Sequence, residues 1–454
     1  MNYRFKRILP LSLATLMLLT ACDSQLDLKP VNTIDASAAV STSADVEALL
    51  VGAYDSMSDI DLYGGNLLRN SELIGDNGEV FWDGTFVEPD EIYRKAILVG
   101  NTNVANIWLD AYRTINIANT VLANLEVVTE ANRARVEGEA KFVRGVMYFE
   151  LVRNYAKAWT DGTPASNAGV PLVLTPTSEI NDDSNLSRAT VAAVYAQVLS
   201  DLTDAESKLP ATNGIFATKW AAAGMLSRVY MMQEKYADAA NAATRVIDSG
   251  RFSLVPTEEV FDQRINQTGL ATAEDIFSIY ITDQDGINEL NTFFGGSSFG
   301  GRGDILIEDA HLAMYEPGDN RAELFYEDNG GIYTIKFRNQ YGNIKVLRLA
   351  EMYLTRAEAN LRNNSAIGAT PAEDINRIRV RAGLEPLAPA NVTLAAILKE
   401  RRLELAFEGQ LIHDIKRTKG TVGSLPYTSP KLIFPIPRRE IDANPNLIQN
   451  EGYI

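Results

Sequence analysis

Along residues 217 to 250, ATKWAAAGMLSRVYMMQEKYADAANAATRVIDSG, apolar side chains recur at intervals of three and four. Trp220, Ala223, Leu226 and Tyr230 make a first stripe. The polar run Gln233-Glu234-Lys235 interrupts it, and Tyr236, Ala239, Ala240, Ala243, Val246 and Ile247 make a second. Two helices joined by so short a turn lie antiparallel, and the alanines let their backbones approach closely. Such a hairpin leaves faces it cannot bury alone, so it needs neighbours. The same rhythm supplies them. It predicts helices at about Ala44 to Ser58, Asn103 to Leu125, Glu137 to Lys157 and Thr190 to Leu209, the last ended by Pro210. Three more follow at Leu347 to Leu361, Ala372 to Arg381 and Leu394 to Glu408.

Between these helices the period is lost. Asn66 to Glu91, which includes GDNGEVFWDGTFVEPDE, mixes turn formers with Phe81, Trp82 and Phe86. A loop carrying three aromatic rings must either tuck them into the core or display them. Asn181 to Asn185 marks a surface loop. Arg251 to Gln340 is irregular, with strand-like runs at Ile276–Ile281 and Tyr333–Phe337. The cluster FFGGSSFGGRGD at Phe293 to Asp304 is expected to be a flexible loop. The final segment, LIFPIPRREIDANPNLIQNEGYI, holds too much proline and asparagine for a helix and is expected to clamp over the bundle.

Composition narrows the function. The chain has 454 residues, 46 % of them hydrophobic, enough for a large core, and a formal charge of −17. Such an acidic surface repels phosphate backbones, which argues against a nucleic-acid partner. The first residues, MNYRFKR, are cationic, and ILPLSLATLMLLT is apolar but too short to span a bilayer comfortably. Leu19-Thr20-Ala21-Cys22 closes this leader, and Cys22 is the single cysteine of the chain. The arrangement resembles a bacterial lipoprotein box, in which cleavage after residue 21 makes the cysteine residue one and acyl chains attach to it. It implies a protein tethered to a membrane and folded outside the cytoplasm, with Asp23 to Pro30 as a polar tether.

Several blocks in order then carry a broader resemblance. AYRTINIANTVL and EGEAKFVRGVMYFELV come first, followed by VLRLAEMYLTRAEAN, INRIRVRAGL, ILKERRLELAFEGQLIHDIKR and FPIPRREIDANPNLIQNEGY. Together they resemble the SusD/RagB family of outer-membrane nutrient-binding lipoproteins. One departure follows Glu408-Gly409, where Gln410-Leu411-Ile412-His413 replaces the usual Arg-Trp-Phe. The resemblance implies a mainly α fold over residues 22–454. Tetratricopeptide-like hairpins at about 103–250 and 347–408 would form the scaffold, and segments at about 60–100 and 251–340 the irregular ligand-binding half. It further implies a TonB-dependent, SusC-like barrel transporter as partner and an oligosaccharide as cargo. A peptide cargo, or a structural adaptor with no ligand, are the other readings.

Catalysis finds little support in the residues. His311 and His413 lie far apart, and no GxSxG elbow or GxxxxGK[ST] loop occurs. His413 beside Asp414 suggests a base and its orienter, and Glu400, Glu404 and Glu408 share a helical face. With Arg401 and Arg402 alongside, structural ion pairing is the simpler reading, as for Arg348, Glu351, Arg356 and Glu358. No cofactor or metal is expected, although Asp283-Gln284-Asp285-Gly286 keeps part of a calcium loop without its later ligands. Capture of a sugar needs exposed aromatic plates beside amides and carboxylates. Trp82 is the first candidate, with Phe81, Phe86, Asp83 and Asn77 around it, because family members often place aromatic plates in this loop. Phe293 and Phe294 are second, with Tyr280 and Arg302 as rim groups. Trp108 and Trp220 fall on helix stripes and are expected in the core, and Trp159 stays undecided.

Overall fold

Thr42 opens the first helix, α1 (Ser43–Met57), by a reciprocal capping box with Asp45 that satisfies two end groups of the backbone. The computed structural model describes residues 40–177, 184–261, 264, 268–282, 284 and 286–453. The leader, Cys22, the tether, Asn181 to Asp183 and the two aspartates of the calcium-like run, Asp283 and Asp285, lie outside the described residues.

Fifteen α-helices and eight short strands follow one another along the described chain. After α1 come α2 (Asn66–Gly75), β1 (Val80–Trp82), α3 (Val87–Tyr93), α4 (Thr102–Ala123) and α5 (Glu130–Tyr155). Next are α6 (Val191–Lys208), α7 (Lys219–Met232) and α8 (Tyr236–Ile247). The middle section holds β2 (Asp275–Ile279), α9 (Glu289–Phe294), β3 (Ile305–Ile307), α10 (Asp309–Leu312), β4 (Phe325–Asp328), β5 (Gly331–Thr334) and β6 (Ile344–Arg348). The chain then forms α11 (Leu349–Asn363), α12 (Pro371–Arg381), α13 (Leu394–Glu404), α14 (Leu411–Arg417), β7 (Thr421–Val422), β8 (Leu425–Pro426) and α15 (Arg438–Ala443). The fold is mainly helical. None of the described helices is both long and apolar enough to cross a membrane.

The helices stack in a row, α1 on α4, α4 on α5, α5 on α6, α6 on α7, α7 on α8, α8 on α11 and α11 on α12. Thr218 caps α7, and Glu234, in the left-handed region at φ 57°, turns the chain back into α8. Ala221, Ala222, Ala223, Ala239, Ala242 and Ala243 are buried where the hairpin meets its neighbours. Trp108 is buried among Tyr112 and Tyr155, as its place on the α4 stripe predicts. Gly145 of α5 meets Asp201 and Leu202 of α6, and a Cβ there would lie 3.1 Å from Asp201.

The strands make four separate antiparallel pairs, β1 with β3, β2 with β6, β4 with β5, and β7 with β8. Of the two strand-like runs of the sequence, Ile276–Ile281 becomes β2, whereas Tyr333–Phe337 joins β5 only through Tyr333 and Thr334, its last three residues forming a 3-10 turn that Thr334 caps. The tail clamps as expected, but it is not free of helix: α15 starts directly after Pro437 and ends at Asn444, so proline and asparagine bound a helix there rather than prevent one. Phe434 N donates to Asn154 O at 2.9 Å, and Asn450 Nδ2 donates to Tyr155 O at 2.8 Å, both at the end of α5.

A plate of buried ion pairs joins the helical row to the irregular half. Arg348 reaches Glu274 at 2.8 Å and Glu408 at 2.7 Å, and it also pairs with Glu404. Arg321 meets Glu400 at 2.6 Å, Arg381 pairs with Glu404, and Lys336 holds Glu408 at 2.9 Å. A second chain runs from Arg228 to Glu351 (2.6 Å), Glu351 to Arg401 (3.4 Å), Arg401 to Asp414 (2.8 Å), Asp414 to Arg417 (2.7 Å) and Arg417 to Glu358 (2.5 Å). Charges taken this far out of water persist only when each has a partner. The carboxylates of α13 are therefore scaffold, and Asp414, held between two arginines, does not orient His413.

Candidate functional site

Strand β1 alternates. Val80 and Trp82 point inward, Phe81 points outward, and on β3 Ile305 and Ile307 are buried on either side of Leu306. The register pairs Phe81 with Leu306 and Trp82 with Ile305. One more backbone bond, Asp83 N to Asp304 O at 2.9 Å, carries the ladder past the strand end. The consequence for the aromatic loop is a division of roles. Phe81 and Phe86 are 46 % and 44 % exposed, whereas Trp82 is only 5 % exposed. Trp82 is thus a core residue rather than a displayed plate, because the pleat turns its side chain into the protein.

Beneath the strand pair, the Trp82 indole folds over Gly84, where a Cβ would lie 2.3 Å from the indole ring. Glycine is required there for that close approach. The Trp82 ring also lies 5.9 Å from that of Phe293, and Phe86 meets Phe293 edge-on at 6.2 Å. Phe293 is buried and sandwiched from below by Arg69, whose guanidinium sits 4.1 Å from the ring centre. Arg69 hydrogen-bonds Asn70 and, at 2.6 Å, Asn103, and has no carboxylate within ion-pair distance among the described residues. Burial lowers its pKa to about 10. Phe293 is therefore the support of Phe86 and not itself a surface plate. Phe294 is fully buried against Phe337 and Phe407, so it belongs to the core.

Arg302 lies where a rim group was expected. Its guanidinium sits 4.6 Å from the Phe86 ring centre, and it bonds Asp304 at 3.0 Å and Thr85 Oγ1 at 3.3 Å. A cation held over one face of Phe86 keeps that ring from collapsing onto the surface. Asp83 is exposed beside it. Asn77 has a structural task, receiving Gly423 N at 2.6 Å and donating to Thr421 O at 3.1 Å, which fastens β7 to the loop. Tyr280 lies elsewhere, in a groove with Ile215 and Phe216.

The glycine cluster is not loose. Arg302 N donates to Thr292 O at 2.8 Å, Gly296 N to Tyr326 Oη at 2.7 Å, and Ser298 N to Asp328 Oδ2 at 2.8 Å. A Cβ on Gly301 would lie 2.0 Å from the Gly295 carbonyl oxygen. The glycines permit a tightly folded turn that delivers Arg302 and Asp304 to β1.

On the inner side, Glu79 just before β1 is gripped by His311 Nδ1 at 2.7 Å and by Arg402 at 2.8 Å. Burial opposes its charge, but the bonds from His311 and Arg402 win and bring its pKa down to about 2. Glu72 of α2 receives Gly409 N and Gln410 N at 2.9 and 3.1 Å and meets Arg402 at 3.0 Å. The displayed face thus rests on the buried ion plate. A carboxylate cluster that the sequence reading missed joins the turn after α1 to α4. Asp59, Asp61 and Asp110 bring oxygens within 4.8 Å of one another. Asn66 and Asn106 bond Asp61 at 2.8 and 3.0 Å, and burial raises the pKa of Asp61 and Asp110.

Comparison with known proteins gives the same picture along most of the chain. A family profile described as starch-binding, associating with outer membrane, matches residues 25–231, and one described as SusD family matches residues 327–426. The SusD-like protein P2 of Formosa agariphila is 26 % identical, covering 96 % of this chain and 98 % of its own. The starch-binding protein SusD of Bacteroides thetaiotaomicron is 33 % identical over a shorter stretch, 24 % of this chain and 22 % of its own. A solved SusD superfamily protein from Bacteroides thetaiotaomicron superposes with a TM-score of 0.78 at 28 % identity, over 90 % of this chain and 99 % of that one. With the helical row, the charged blocks of α11 to α14 and both profiles in agreement, the chain belongs to the SusD/RagB family.

Proposed function

We propose that this protein binds glycans on the outward face of the β1–β3 pair and delivers them to a TonB-dependent barrel transporter, while anchored to the outer membrane through Cys22. The observation that carries the reading is the pair of half-exposed rings, Phe81 and Phe86, beside Asp83, Thr85 and Arg302. Sugar rings offer flat C–H faces edged with hydroxyls. A phenyl plate accepts the face, and carboxylate, hydroxyl and guanidinium groups accept or donate at the edge. The starch-binding description of the matching profile and of the Bacteroides relative supports a glycan over a peptide. Nothing in this arrangement requires bond-breaking chemistry, and modest affinity suits a protein that must release its cargo.

The test is a binding isotherm against a panel of soluble oligosaccharides. Phe81→Ala combined with Phe86→Ala is expected to weaken capture at least tenfold, about 1.4 kcal/mol, with little change in stability. Equal affinity in the double variant, or no glycan bound by the parent protein, overturns the reading. Cys22→Ala is expected to release the protein from membranes, and native protein extracted in detergent is expected to bring a large barrel with it.

A further inference from the structure

Trp220 does not keep the place in the core that its stripe predicts. It lies in the first turn of α7 and is only partly buried, with part of its side chain packed on the main core. Its Nε1 is closed off from solvent and has no hydrogen-bond partner, so what the indole shows to the outside is carbon. The ring forms part of the wall of an open basin of about 590 Å³ between α6, the start of α7 and the turn that follows α8. No residue of the β1–β3 face takes part in it.

The edge of the basin mixes donors with acceptors. Arg245 of α8 and Glu206 of α6 form a forked pair at 2.6 and 2.8 Å, which fixes one side. Lys219 Nζ lies 4.4 Å from the Trp220 ring centre, and Asp248 stands in the turn after α8. Neither has a hydrogen bond or ion pair among the described residues. Ser207 and Ser249 spend their protons on Asp204 O and Val246 O, at 2.8 and 2.6 Å, and keep oxygen lone pairs with which to accept.

Charge and shape narrow the guest. Lys219 and Arg245 balance Glu206 and Asp248, so the basin favours neither a polyanion nor a cation. A peptide would need open backbone groups to pair with, but the walls are helices and a hydrogen-bonded turn and offer no strand edge. A purely apolar guest would leave the polar edge unanswered. Water fills any such hollow, yet gains nothing from a carbon plate. A saturated ring that lays its C–H face on the indole removes the plate from water and meets the edge with hydroxyls, which both donate and accept.

We propose that this basin is a second carbohydrate-binding site, for a short stretch of neutral glycan, with the Trp220 indole as its plate and Lys219, Asp248 and the Arg245–Glu206 pair as its edge. Its ligand class rests on the glycan reading of the β1–β3 face; its location does not. The Lys219 ammonium reaches the space above the plate, and its flexible stem lets it turn aside and donate to a ligand hydroxyl. Two sites with no residue in common give a polysaccharide two handles on one protein, each weak on its own.

Titration of the mature Phe81→Ala, Phe86→Ala double variant with maltohexaose, cellohexaose and xylohexaose, followed by tryptophan fluorescence, isolates the basin. At least one of these sugars is expected to bind with a dissociation constant on the order of 1 mM. Adding Trp220→Phe is expected to remove the fluorescence change, and adding Trp220→Ala to weaken binding at least about tenfold. Asp248→Ala, at an exposed position, is expected to weaken binding about threefold and serves if the Trp220→Ala chain does not fold. Crystals soaked in the same sugar are expected to show a ring against the indole. Binding by the parent protein that vanishes in the double variant overturns this proposal and leaves the β1–β3 reading standing. Binding undiminished in the double variant but lost with Trp220→Ala does the reverse. Residual binding indifferent to both Trp220 and Asp248, or a preference for hexagalacturonate over the neutral sugars, overturns the basin assignment, and no sugar bound by the parent protein overturns both.

Discussion

Trp82→Ala separates the two faces of β1. The indole is buried, touching Phe293 and the backbone of Gly84. Burial of a large aromatic removes about 150–250 Å² from water, which at about 25 cal/mol per Å² is roughly 4–6 kcal/mol as an upper value. Its Nε1 is buried with no hydrogen-bond partner, and the desolvation of that group takes back about 1–3 kcal/mol. The expected loss on truncation is therefore about 1–5 kcal/mol, centred near 3 kcal/mol, the lower end of the roughly 3–5 kcal/mol seen for large aromatic side chains in cores. Phe81→Ala, one residue away, is expected to cost under about 1 kcal/mol because that ring is half exposed. Trp82→Phe keeps much of the burial and removes the unmatched N–H, so it falls between the two. Equilibrium urea unfolding followed by far-ultraviolet circular dichroism gives all three values from the midpoints. A Trp82→Ala midpoint equal to that of the parent protein, or a Phe81→Ala loss as large as that of Trp82→Ala, refutes the assignment of inner and outer faces.

Two other perturbations probe the plate beneath. Arg348→Ala takes one cation from each of Glu274, Glu404 and Glu408, which keep Arg381, Arg381 with Arg321, and Lys336 respectively, and is expected to cost about 3 kcal/mol in the same urea assay, the lower end for a broken buried pair. Arg348→Lys is expected to recover only part, because an ammonium cannot repeat the forked bonds; full recovery would remove the geometric argument. Glu79 has its folded pKa depressed to about 2. Its contribution is therefore complete above about pH 4.5 and is lost as the pH falls from there toward 2, with a ceiling of about 3 kcal/mol. Glu79→Gln is expected to flatten the pH dependence of stability below pH 4.5; an unchanged slope shows that His311 and Arg402 do not hold the carboxylate in this way.

Most of the helical row is legible in the sequence because α1, α4, α6, α8 and α12 bury one stripe and leave the opposite face more open, while α5, α7 and α11, buried along most of their length, still keep apolar residues at helical spacing. Where that spacing is lost, so is the reading. Helix α2 is buried along all ten residues, NLLRNSELIG, and its arginine, asparagine and glutamate erase any apolar stripe. Helix α5 starts at Glu130, well before its stripe, because Glu130 to Arg135 faces mostly outward and polar. At the site, the sequence identifies an aromatic loop but not its phase. Alternation says that Phe81 and Trp82 face opposite ways; which one faces out depends on pairing with Ile305 to Ile307, far along the chain. Phe293 and Phe294 raise the same question, and α9 buries both. The basin at Trp220 has no local signature at all, since the ring falls on the α7 stripe as a core residue would. It exists only where α6, α7 and the end of α8 converge.

The glycine turn that carries Arg302 has a consequence for how such a protein diversifies. Its shape is fixed by backbone crowding around Gly295, Gly296 and Gly301, while Phe81, Asp83, Thr85 and Phe86 project outward from the neighbouring strand end. If those four carry the proposed glycan site, substitutions among them change which cargo is preferred while the frame keeps its shape. A mutational survey would thus find tolerance and intolerance interleaved residue by residue along this short segment, with recognition free to drift over an immobile mount.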